Sequence, residues 1–479
     1  MKSLSVNSIK VIVSDNVKCF SVGSFLVYEQ VDNFLGISDL LRSGKMKTKG
    51  VDLADLVKSL VCGVIDGKKS VKAIFEDSQT TGKGDFVNPD LTDTVLKTFY
   101  RGIQLVGVKG KENYDKLTNK FQEKTKVKMV QGNFDYTSSY FEGLKAFFGK
   151  HGYSRDHRPD LKQLKVGLLQ VDDELFSRTY FFDSGEKTDV TQFREDFLKA
   201  KEMLSPETLI VIDRGIADPK NLALISGQEF KYLAGLKKGK AVKSKILDLK
   251  KEISNLEKVE NDKNYSFFKE EHEGVTRFYF YSQDLFQTQQ ARKKKKFQKK
   301  YDEIIKSKKK TKIKEIHTGL ENIIVTQQTI IQKRLVKKSF EDLQKSFLET
   351  TGCFDGWFVL ETNQKEMNPK DALDKYKRKD SVEKVICSLK QNCKLRPFNV
   401  RKKESIEGSL FISMLANLVI GIFSFLQQEH LKGKSPRTII DLVKNLTVDL
   451  FYDQVGQIIQ KVFKNFTEFF KKIFSLPVT

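Results

Sequence analysis

Residues 408–428, GSLFISMLANLVIGIFSFLQQ, contain no charged side chain. Nothing else in the chain narrows the fold as much. A helix of that length, apolar around its circumference, either crosses a bilayer or is enclosed by protein on every side. Ser409, Ser413, Asn417 and Ser424 interrupt the stretch, and soluble-looking sequence precedes it. The expectation is a helix inside a large core, with no membrane partner. A length of 479 residues supplies the cover; it also gives a prior of about three domains. A hydrophobic content of 39% with 37 Phe excludes a wholly disordered chain.

The remaining pattern is mixed. Residues 1–125 begin with a strand-like Ile9–Val13 and continue as short helices, VDLADLVKSLVCGVI and TDTVLKTFYRGIQLVG, between Gly- and Lys-rich turns. They are read as a mainly helical N-terminal DNA-binding region. From 126 to 245 the pattern becomes strand, strand, strand, helix, then strand–helix–strand. VKMVQGNFDYTSSY, KVGLLQV, RTYFFDSG, LIVID and EFKYLAGLK are the strands. A basic segment, 246–350, then interrupts this logic as an insertion, with a charged helix (KAVKSKILDLKKEISNLEKVE) and one strand (TRFYFYS). DGWFVLET resumes the strand pattern, and 351–430 completes the α/β core. Residues 431–479 read as a helical, amphipathic tail that either pairs protomers or covers its own core.

The chain carries 85 Lys+Arg against 62 Asp+Glu, a net charge of +23. That balance calls for a polyanionic partner, nucleic acid first and an anionic membrane surface second. The charge is densest from Arg292 to Lys314, where only Asp302 and Glu303 oppose it. Lys294, Lys295 and Lys296 are candidate phosphate contacts; the alternative is a solvated helix face. The five cysteines form no CxxC pair. Together with a charge-interrupted N-terminus unlike a signal peptide, they suggest a reducing, cytoplasmic, nucleoid-associated setting.

Against this basic background three acidic residues stand out. Asp135 lies within a strand, Asp213 ends the apolar run LIVID, and Glu383 lies in the helix-like YKRKDSVEKVICSLK. That last run has the spacing Tyr376, Lys379, Glu383, Lys390, which falls within roughly a 60° arc of one helix. Val382, Val385, Ile386 and Leu389 occupy a different face, so such a helix packs by one side and presents the other. Spaced carboxylates beside cations suit phosphodiester chemistry with two divalent ions, one Asp bridging and one further carboxylate for each metal. Singly, each residue has an ordinary alternative: an Asp after a strand is often a turn residue, and a Glu among lysines a solvated face.

The chain also resembles a known family, the DDE transposases of bacterial and archaeal insertion sequences. The resemblance is to the cut-and-paste group with a Tyr-x2-Arg-x3-Glu-x6-Lys signature. It covers about residues 130–240 and 354–425, through NFDYTSSYFEG, HGYSRDHRPDLKQLKVGLL, VIDRGIAD, FDGWFVLETN, the Tyr376–Lys390 run and LRPFNVRKKESIEGSLFISMLA. It implies an RNase H-like catalytic core, a mixed sheet flanked by helices. It implies that Asp135, Asp213 and Glu383 hold two Mg²⁺ or Mn²⁺ ions. The implied partners are double-stranded DNA, as terminal inverted repeats and target, and a second copy of the chain pairing two transposon ends. The implied activity is strand cleavage followed by strand transfer, with a hairpin intermediate by analogy. One position departs: the family's Arg is Lys379 here, with Arg378 adjacent. Lys keeps the charge but loses the bidentate fork.

Three further features accompany this. His151, Arg155, His157 and Arg158 crowd one loop as candidate DNA contacts, unless Asp156 and Asp160 satisfy the arginines internally. Trp357, the sole tryptophan, is either a base-stacking residue or a strand's core aromatic. The alternatives to a transposase are a non-catalytic DNA-binding descendant, a metal-dependent nuclease without strand transfer, and a membrane-associated basic protein.

Overall fold

The structure, a computed structural model, describes residues 3–6, 9–12, 16–43, 50–143, 145–306 and 340–474. It divides into two compact units: residues 1–211 with 378–479, and residues 212–377.

The first unit is built around the uncharged segment. It forms the helix Lys403–Leu426, which is long and apolar enough to cross a membrane and is mostly buried in this unit. Helices Gly23–Leu35, Leu53–Ile65, Leu96–Gly107, Gly110–Thr125 and Pro436–Val443 pack around it. At the crossing with Leu96–Gly107 the backbones touch. A Cβ at Gly107 would collide with the Glu404 carbonyl, and one at Gly408 with the Ile103 carbonyl. Glycine on both helices permits that approach. The same core takes in Leu164, Val166 and Leu168 from the sheet and Phe470, Ile473 and Phe474 from the tail. The regions 1–125 and 431–479, read from sequence as separate, therefore share one core with the long helix. A helix apolar all round needs cover from every direction.

Strands β1 (Ser3–Val6) and β2 (Ile9–Ile12) pair as a small hairpin. β3 (Val17–Ser21) is an edge of a different sheet. The main strands of the unit are β4 (Gln131–Tyr140), β5 (Gln163–Val171), β6 (Thr179–Ser184) and β7 (Leu209–Ile212). β4, β5 and β6 form an antiparallel meander, and β7 returns parallel to β4 through the helix Asp189–Ala200. The sheet is therefore mixed. Alternate side chains of β4 point to opposite faces. Phe134 meets Phe193 and Phe197 of the 189–200 helix, with ring centroids 5.1 and 6.1 Å apart, while Asn133 and Asp135 face the other way.

The second unit contains β8 (Lys231–Gly235), β9 (Glu257–Val259), β10 (Asp262–His272), β11 (Val275–Ser282) and β12 (Trp357–Thr362), in the order β8-β12-β11-β10-β9. β12 pairs with both β8 and β11. The stretch read as an insertion thus adds strands to the sheet that β12 belongs to. The long charged helix expected across 240–260 ends at Lys251, and Glu257–Val259 is a strand. Helix Gln283–Lys306 packs on Phe340–Thr351 through Phe297, Leu343 and Phe347. Residues 307–314 of the basic run lie outside the described residues.

The tail is a second correction. β13 (Thr447–Tyr452) and β14 (Ile458–Lys464) form an antiparallel hairpin, and β13 also pairs with β3. The alternation VDLFY buries Val448 and Leu450 on one face, a period of two that outweighs the helical reading of 436–479.

Candidate active site

The run from Tyr376 to Lys390 is helical on both sides of Lys379, whose own backbone lies in the helical region (φ −55°, ψ −21°). It divides at Lys379 into Pro369–Arg378 and Asp380–Gln391. Lys379, expected at a phosphate, is buried, and its ammonium lies 3.3 Å from Asp135 Oδ2. Lys390 is also mostly buried, with Nζ 2.8 Å from Asp156 Oδ1, and Arg396 donates to that same oxygen. Burial outweighs the Asp156 attraction and holds the Lys390 ammonium below the usual lysine range. Arg378 is exposed at its helix end. Tyr376 places its hydroxyl over the last residue of β8, where any Cβ at Gly235 would strike it.

Asp135 sits near the middle of β4 with its side chain buried. Besides Lys379 it meets Arg155, whose Nη1 is 3.5 Å from Oδ1, and the Tyr136 N–H donates to Oδ1 at 2.8 Å. Arg155 also donates to the Tyr136 carbonyl and to Asp189 Oδ2 at 2.8 Å. Lys165 completes the cluster at Asp189 Oδ1, 2.6 Å. Two cations from sequence-distant positions, Lys379 and Arg155, thus face this one carboxylate.

A polar seam fixes the helix Asp380–Gln391 on the Asp135 face of the sheet. Ser381 Oγ donates to Gln170 Oε1 at 2.7 Å, and Asn133 Nδ2 donates to Gln170 Oε1 at 2.8 Å and to Ser381 Oγ at 3.3 Å. Sequence reading missed these three residues. For Asn133 and Gln170 the visible signal is a polar residue within the alternation of a strand; Ser381 lies on the helix Asp380–Gln391. Glu383, one turn into that helix, is exposed.

Asp213 follows β7 directly. Its Oδ1 accepts the N–H groups of Gly215 (2.8 Å) and Ile216 (3.1 Å), a turn held by an Asx contact. In the β4–β7 ladder Asn133 stands opposite Val211.

His157 and Arg158 occupy the β4–β5 connection. His157 takes a left-handed backbone (φ 58°) and is exposed. Arg158 forks onto Asp160 (3.0 and 2.9 Å) and lies over the Tyr140 ring, so the internal alternative holds for this arginine. Trp357 is buried in the second unit beside Val242, Ile246 and Tyr279, with Tyr281 5.2 Å from its ring. Lys294, Lys295 and Lys296 are exposed on the helix Gln283–Lys306. The preceding Lys293 instead bonds Asp355 at 2.6 Å.

By chemistry, Asp135, Asp213 and Glu383 are hard oxygen donors of the kind Mg²⁺ takes. By placement, no group of three His, Cys, Asp or Glu among the described residues is gathered to hold a metal in this conformation.

Comparison with known proteins gives one family. The transposase DDE domain model matches residues 135–418, more than half of the chain, opening on Asp135 and spanning Asp213 and Glu383. No curated protein matches. Among solved structures, the piggyBac transposase, determined by cryo-EM in a synaptic complex with hairpin DNA, is similar at 9% identity and a TM-score of 0.42. That match covers 88% of this chain and 78% of that one. On the family match, this chain belongs to the transposase DDE domain family and is a DDE-type transposase.

Proposed function

We infer that this transposase binds terminal inverted repeats as double-stranded DNA and catalyses strand cleavage and strand transfer. Asp135, Asp213 and Glu383 are the proposed catalytic residues and the ligands of two Mg²⁺ or Mn²⁺ ions. The observation that carries this reading is the family span, which begins at Asp135 and contains the other two carboxylates. The antiparallel meander β4–β5–β6 with β7 parallel beside β4 supports an RNase H-like core. The 246–350 segment is the proposed insertion, and a homodimer on the nucleoid the proposed working form.

When bound, divalent cations align the attacking oxygen and neutralise the phosphate and the leaving oxygen. The chain's own residues prepare for this. Lys379 and Arg155 pair with Asp135 in a buried setting where an unpaired carboxylate would be costly. Lys379 keeps the charge of the family's Arg and gives Asp135 a single, movable ammonium. Asn133, Gln170 and Ser381 position the helix that carries Glu383. Tyr376, Arg378, Lys390, His157, Arg158 and the exposed Lys294–Lys296 are the proposed DNA contacts, joined by Trp357 if it leaves its core. Lys390 and Arg158 reach DNA only by giving up Asp156 and Asp160.

The test is Mg²⁺-dependent cleavage of a duplex spanning the element's end, by wild type beside Asp213→Asn. Boundary cleavage by wild type alone, with equal DNA binding by both, is the expected result. Binding without cleavage by either protein would favour a non-catalytic DNA-binding descendant.

A further inference from the structure

Most of the described aromatic side chains of this Phe-rich chain are at least partly buried. Two stand apart. Phe147 is 85% exposed and Tyr153 79%, against 39% for Tyr100, the next most exposed aromatic among the described residues. Both belong to the β4–β5 connection, residues 141–162.

That connection is pinned on both sides of each ring. Ala146 is buried, and Phe148 lies 5.9 Å from Phe182. Lys150 and Gln163 exchange backbone hydrogen bonds of 3.4 and 2.7 Å. Gly152 runs so close to Gly185 that no Cβ would fit. Ser154 is buried, its hydroxyl accepting the Arg158 N–H at 3.1 Å, and the Arg155 N–H donates to Ser138 Oγ at 2.8 Å. The rings therefore project from a fixed backbone. Each leaves apolar area in water.

The electrostatic setting selects the partner. Lys145, Lys150, His151 and His157 are exposed on the same connection, and neither lysine has a carboxylate partner among the described residues. Asp160, an acid of this connection, is already held by Arg158. Two residues beyond Tyr153, Arg155 reaches Asp135, and the next residue, Asp156, takes Lys390. The connection is thus tied to the candidate active site by two ion pairs.

We propose that Phe147 and Tyr153 are base-stacking residues for single-stranded DNA, with Lys145 and Lys150 on the flanking phosphates. Flat rings beside cations bind unpaired bases of any sequence, because every base offers a π-face. This rests on the DNA-processing reading above and adds a strand-separated substrate at that site.

The probe is an oligodeoxythymidylate of roughly 20 nucleotides, longer than one single-strand site, with a single 2-aminopurine. It is titrated with the full chain while anisotropy and 2-aminopurine fluorescence are followed. Wild type should bind and change the fluorescence. Phe147→Ala and Tyr153→Ala should each weaken binding by about 5- to 150-fold, at unchanged melting temperature and salt slope. Tyr153→Phe should match wild type, and Tyr153→Leu, which keeps bulk but not the flat ring, should fail like Ala. Wild-type binding by the Ala and Leu variants would overturn the proposal, as would a change confined to oligomeric state in sedimentation. If wild type cleaves its duplex but ignores the single strand, this inference falls and the transposase reading stands. If it neither cleaves duplex nor binds either form, the DNA-processing reading falls with it.

Discussion

Two groups of lysines use their charge in opposite ways. Lys379 and Lys390 lie in the signature run, where the sequence points them at phosphates, and both are buried on carboxylates, Asp135 and Asp156. Lys294, Lys295 and Lys296 are exposed, on a helix whose other face is fixed by Phe297 and by Lys293 on Asp355. A net charge of +23 foretells a polyanionic partner without saying which cations are available to it. Burial decides that. A buried cation is first a structural counterion, and reaches a phosphate only by leaving its carboxylate behind. An exposed one is available at little cost.

The strongest way to break the contrast is to remove the more deeply buried of the two signature-run lysines. Lys379→Met leaves Asp135 buried with Arg155 alone and should cost about 3–5 kcal/mol, read as a lower urea midpoint. Lys379→Arg should retain most of the stability. An unshifted midpoint in the Met variant would show that Lys379 is not a counterion.

The opposite face of β4 sharpens the comparison with a carboxylate that has no ion pair among the described residues. Tyr136 donates to Asp196 Oδ2 at 3.0 Å, and burial pushes the Asp196 carboxyl up to about 7. From an unfolded value of about 3.9 up to about pH 7, the folded chain keeps a proton that the unfolded chain has released. Its contribution to stability is complete below the unfolded value and is lost as pH rises through about 7. Asp196→Asn should keep the tyrosine contact and flatten the fall in stability across this window, by a few kcal/mol in total. An unaltered pH profile would remove Asp196 as its source.

The smallest effect on folding belongs to the exposed group. Lys294, Lys295 and Lys296 changed together to Gln should move stability by no more than about 0.5 kcal/mol. The same change should lower the salt slope of DNA binding by about three. Loss of stability with an unchanged slope would invert the assignment of the two groups.

Much of the architecture was legible because its signals are local. The uncharged 408–428 stretch announces a helix enclosed by protein, and the apolar runs of β5, β7 and β12 announce buried strands. β10 was not legible: NYSFFKEEH carries its charges on an edge-side strand whose pairing with β11 supplies the order. The tail was read as helical although VDLFY alternates with a period of two; the other partner of β13, β3, lies some 430 residues away in sequence, a pairing no local window contains. The candidate site divides the same way. Asp135, Asp213 and Glu383 are visible as residue types at element ends and in motifs. What surrounds them is tertiary: Lys379 on Asp135, Asp156 between Lys390 and Arg396, and the Asn133–Gln170–Ser381 seam.

The most direct test of the central claim is strand joining. A duplex with a free 3′-hydroxyl at the element's end is mixed with supercoiled plasmid, Mg²⁺ and the full chain. The account predicts joined product with wild type and none with Asp135→Asn, Asp213→Asn or Glu383→Gln, each still binding the duplex. Joined product from any of the three variants, or cleavage without joining by wild type, would contradict it.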